Sequence, residues 1–211
     1  MHHEWSLFAL HKCISFEESL PELGILLGSP LDLNMSEIDP HCKRVDLKQL
    51  LTEGVNQFVV FANTELQIPM VLCYAGDRQA IMLFISWLKA QGVIVWPLEL
   101  SSSAMLAIAD TMVAKNYYDT KFVFDVVTHH KNLKKIEIEV DKQSFRTLAG
   151  EKDAPLQESI IPYIHDRSGM VVSKLPLVLI AFAGFATVGM HVIQTSAWNN
   201  EHLDKLLQCI Q

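Results

Sequence analysis

The 211 residues are 50% apolar and 19% charged, with 9 glycines and 8 prolines. This composition excludes a disordered, collagen-like or disulfide-framework chain, because so many apolar side chains can offset the entropy of ordering the backbone. With 17 basic against 24 acidic residues the formal charge is −7, the wrong sign for gripping a phosphate backbone.

The first helical signal is Ser19 to Gly28, with a Ser cap, Pro21 and Glu22 in the first turn and Gly28 as terminator. Ser29-Pro30 and Asp39-Pro40 then mark loop. Asp46 to Gly54 repeats the same grammar and predicts a second helix. Residues 1–56 are therefore expected to be mainly helical, and they are acidic. Beyond them, residues 57–62 and 70–75 are rich in β-branched and aromatic side chains and predict strands.

Asp77 opens a helix to Gln91, closed by Gly92, whose inward stripe is Ala80, Ile81, Phe84, Ile85 and Leu88. A short strand, 93–96, ends at Pro97. Ser101, Ser102 and Ser103 then cap a helix over 104–115, with Met105, Ile108, Ala109 and Met112 inward. Residues 121–128 and 134–141 predict a hairpin around a polar turn. Ile136, Ile138 and Val140 alternate with Lys135, Glu137, Glu139 and Asp141, as in an antiparallel sheet with one wet face. After Gly150 comes a loop, then an ambiguous segment broken at Pro162.

Residues 175–190 read LPLVLIAFAGFATVGM. The run falls short of the ~20 apolar residues a membrane helix needs, so a buried element is expected, with an anchor over 175–193 as the alternative. Residues 199–211 predict a terminal amphipathic helix. Its stripe, Leu203, Leu206, Leu207 and Ile210, is the candidate partner-binding surface. Without regular βαβ repetition, these elements predict one compact α+β domain over 1–211: an antiparallel or mixed sheet with helices on one face.

Catalytic grammar is absent. The chain has no GxSxG, GxGxxG, GxxxxGK[ST] or HExxH pattern. Ser101–Ser103 and Gly76–Arg78 occupy strand-to-helix junctions where an enzyme could build a small-molecule pocket, but ordinary capping explains both. His129 and His130 are adjacent and would diverge in an extended chain, and His165-Asp166 gives no metal-ligand spacing. No metal and no cofactor are expected. Cys13, Cys42, Cys73 and Cys209 form no CxxC pair and fit a reducing compartment. The N-terminus lacks a signal peptide's basic and long apolar regions, so a cytoplasmic protein is expected.

A mean hydropathy of +0.20 with so few charges leaves apolar surface for a partner to cover. The reading is a non-enzymatic adaptor or chaperone-like protein with protein partners in a hetero-oligomeric complex, without nucleic acid or a direct membrane span. In size, acidity, mixed α/β pattern and missing active-site motifs, the chain resembles small adaptors and chaperones of bacterial specialised secretion systems, including those of the type IVB coupling complex. That resemblance implies association with an inner-membrane complex, and binding of a sister-subunit helix or a secreted substrate without turnover.

Overall fold

A computed structural model describes residues 3–12, 16–28, 30–39, 42–51, 54–63, 69–74, 78–113, 117–126, 134–150 and 155–195. The expected terminal helix, with Leu203, Leu206, Leu207 and Ile210, lies outside them, as do His129, His130 and Gly76. The chain divides into two compact units, one over Glu4–Glu99 and one from Leu100 onward. Helices and antiparallel strands build both, so the fold is the expected α+β class.

In the first unit the order is β1 (His3–Leu10), α1 (Phe16–Leu27), β2 (Asp32–Asp39), β3 (Cys42–Leu51), β4 (Gly54–Asn63), β5 (Met70–Tyr74), α2 (Arg78–Ala90) and β6 (Val95–Pro97). The strands lie β2-β3-β4-β5-β1, all antiparallel, and β6 pairs with β1. One row across the sheet runs Leu33, Leu47, Phe58, Cys73 and Ser6. Because side chains alternate across a strand, Leu33, Leu47, Phe58 and Cys73 of this row and the same-face neighbours Val45, Val60, Phe8 and Leu10 line one core. The predicted stripe of α2 closes that core: Ala80, Ile81, Phe84, Ile85 and Leu88 are all buried, and Trp87 with them. Phe84 stacks on Phe58 with 4.2 Å between ring centroids and 15° between the ring planes, a close stacked aromatic pair at the centre of the core.

Two expectations for this half are corrected. Residues 46–51 belong to strand β3, and Gly54 opens β4 instead of ending a helix. Leu47, Leu50 and Leu51 have helical spacing, but pairing Leu47 with Phe58 and Val45 with Val60 buries more apolar surface than an isolated helical turn could. Between the loop markers Ser29-Pro30 and Asp39-Pro40, where no strand is predicted, the chain carries strand β2. Among the described residues up to 56, α1 is the helix and β1, β2 and β3 are strands, so this part is not mainly helical. Helix α1 also begins at Phe16, which places Ser19 and Pro21 inside it.

In the second unit, α3 (Ser102–Val113), β7 (Thr120–Asp125), β8 (Lys135–Val140), α4 (Lys142–Gly150), α5 (Leu156–Ser168), β9 (Leu177–Phe182), β10 (Ala186–Gly189) and β11 (Val192–Thr195) follow in turn, with a single 3-10 turn over Val172–Lys174. The strands lie β11-β10-β9-β7-β8, again antiparallel. Ile193, Val188, Ile180, Phe122 and Ile138 form the cross-strand row, and the first four are fully buried. Helix α3 packs on β9, β10 and α5, and its expected inward residues Met105, Ile108, Ala109 and Met112 are buried.

The 175–190 run becomes a hairpin: Leu177, Ile180, Phe182, Ala186 and Val188 are buried, and Gly184 at φ +70° makes the turn. No helix among the described residues is long and apolar enough to cross a membrane.

Candidate partner-binding surface

The outer side of α1 exposes Pro21, Ile25 and Leu26 next to Glu22. Leu20, Pro21, Gly24 and Ile25 line a groove that continues past the helix end through Gly28, Pro30 and Leu31, enclosing about 550 Å³. Its inner counterpart, Leu23, is fully buried in the core, whereas Ile25 is 82% exposed and Leu26 is 42% exposed. Ile25, Leu26 and Leu27 sweep about 200° around the helix at ~100° per residue, wider than one core-facing stripe. Gly28, at φ +82°, ends the helix in the left-handed conformation that suits glycine.

Among the described residues, the seven that line the groove carry no polar side chain, a poor fit to a small polar ligand, which needs placed polar groups to orient it. It can instead hold aliphatic side chains.

The sequence-expected sites resolve differently. Ser101 caps α3: its Oγ accepts the Ala104 N–H at 3.1 Å and contacts Ser103 Oγ at 2.9 Å. Ser102 Oγ accepts the Leu177 N–H at 3.0 Å, so this serine ties α3 to β9. Ser102 and Ser103 also border a cavity of about 310 Å³ with Leu106, Phe124 and Glu158, but among the described residues no nucleophile–base hydrogen bond forms there. Arg78 is exposed at the start of α2.

His165 Nδ1 lies 3.5 Å from Asp166 Oδ1, both well exposed, and no group of three potential metal ligands occurs among the described residues. Cys73 is fully buried, and desolvation pushes its thiol far above the usual range, so it is inert. Trp5 and Trp87 are core, and Trp96 is partly exposed beside the exposed Ile94. The groove at α1 escaped the sequence reading, although the Ile25-Leu26-Leu27 run and the Pro21, Gly24 and Pro30 around it were its signal.

A family model for IML3 matches residues 1–208. The chain belongs to the IML3 family. It is 29% identical to the inner kinetochore subunit IML3 of Saccharomyces cerevisiae, an alignment spanning 100% of this chain and 98% of the yeast protein. Membership overturns the resemblance to bacterial secretion adaptors, and with it the chaperone role and the cytoplasmic, inner-membrane setting. That resemblance rested on size, charge sign and missing motifs, which unrelated binding proteins share. An IML3 protein is a structural subunit with protein partners, not an enzyme. The small-molecule enzyme alternative at Gly76–Arg78 and Ser101–Ser103 falls with it.

Proposed function

We propose that this chain is a scaffold subunit of an inner kinetochore assembly and holds a sister subunit through apolar surface. The observation that carries this reading is Ile25, 82% exposed and lining a groove whose described lining residues carry no polar side chain. A side chain of that size exposed next to an apolar groove marks a binding face more readily than a scattered surface residue does. The yeast relative's name supports the choice of assembly. The terminal stripe Leu203, Leu206, Leu207 and Ile210 belongs to the same proposal as a second apolar contact, on the strength of its helical spacing.

The test is affinity purification of the tagged chain from its own cells, with mass spectrometry of what it retains. The wild-type chain is expected to retain other inner kinetochore subunits. Ile25→Asp with Leu26→Asp, or Leu203→Asp with Leu207→Asp, is expected to lower that recovery about tenfold, a loss near 1.4 kcal/mol. Undiminished recovery in both variants overturns the proposal.

A further inference from the structure

We draw no further inference here: the strongest candidate, the cavity of about 310 Å³ that Ser103 of α3, Glu158 of α5 and Leu177 of β9 border, sets the exposed Glu158 carboxylate and serine hydroxyls beside apolar walls, and nothing in the structure shows what covers it.

Discussion

Asn56 donates a hydrogen bond from Nδ2 to Gln49 Oε1 at 2.8 Å, in the buried interior of the β3–β4 pair. Gln49 in turn donates from Nε2 to the Leu27 carbonyl at 2.9 Å, at the last residue of α1. The carbonyls of a helix's last turn lack intrahelical partners, and Gln49 supplies one. A polar relay thus fixes the end of the groove-bearing helix to the sheet beneath it.

Gln49→Ala is expected to cost about 1–3 kcal/mol, because it removes the side-chain donor to the part-buried Leu27 carbonyl and the acceptor of the buried Asn56 amide. Asn56→Ala should cost less, since Asn56 Oδ1 is itself buried without a hydrogen-bond partner among the described residues. Urea denaturation of both single variants and the double variant checks the ordering. A double-mutant cycle should return a coupling of about 0.5–3 kcal/mol.

Phe84 is fully buried, stacked on Phe58 and 6.0 Å from Trp87 between ring centroids. Phe84→Ala should therefore destabilise by about 3–5 kcal/mol, through lost transfer free energy and the cavity left behind. Met82, on the same helix but 58% exposed, should tolerate Ala within about 0.5 kcal/mol. Similar urea midpoints for the two variants would contradict this packing of α2.

Two carboxylates should give opposite pH signatures. Asp141 is held below the usual range by hydrogen bonds from Ser144, hydroxyl first and backbone second, and from the Gln143 backbone. Its folded-state value is depressed, so its contribution is present above the unfolded value and is lost as pH falls through the folded one. Asp141→Asn should flatten the acid limb of thermal stability against pH.

Asp110 is shifted the other way. Desolvation raises it, against the Leu156 N–H it accepts at 3.3 Å. Its raised folded-state value favours folding below the unfolded value, and that advantage is lost as pH rises through the folded one. Asp110→Asn keeps an acceptor for Leu156 and removes the desolvated charge, so the melting temperature at neutral pH should rise. A fall would show that the charge itself is needed there.

Cys73 should resist alkylation in the native protein at mildly alkaline pH and react only after denaturation, because burial both blocks access and keeps the thiol protonated. Site-resolved mass spectrometry reads this directly. Native-state labelling at Cys73 would mean that the β4–β5–β1 region opens easily.

Helix α2 was legible because its burial depends on one period: residues three and four apart share a face wherever the helix docks. The Ser101 cap of α3 and the β7–β8 hairpin were legible for similar local reasons, since capping and strand alternation need only neighbours in sequence. Residues 46–54 were not. Their Asp, leucines and Gly fit helix and strand alike, and the choice fell to Phe58 and Val60 on the neighbouring strand. The apolar run at 175–190 was likewise ambiguous until β7 and β11 supplied its neighbours.

By itself, then, the sequence determined the α+β class, the inward faces of α2 and α3, the acidic charge and the absence of catalytic motifs, all of which follow from composition or short-range periodicity. Only the tertiary structure decided that α1 turns Leu23 inward and leaves Ile25 outside beside an apolar groove. Burial is settled by what packs against each face, and a helix with apolar residues on both its inner and its outer side does not encode which of them its own fold will cover.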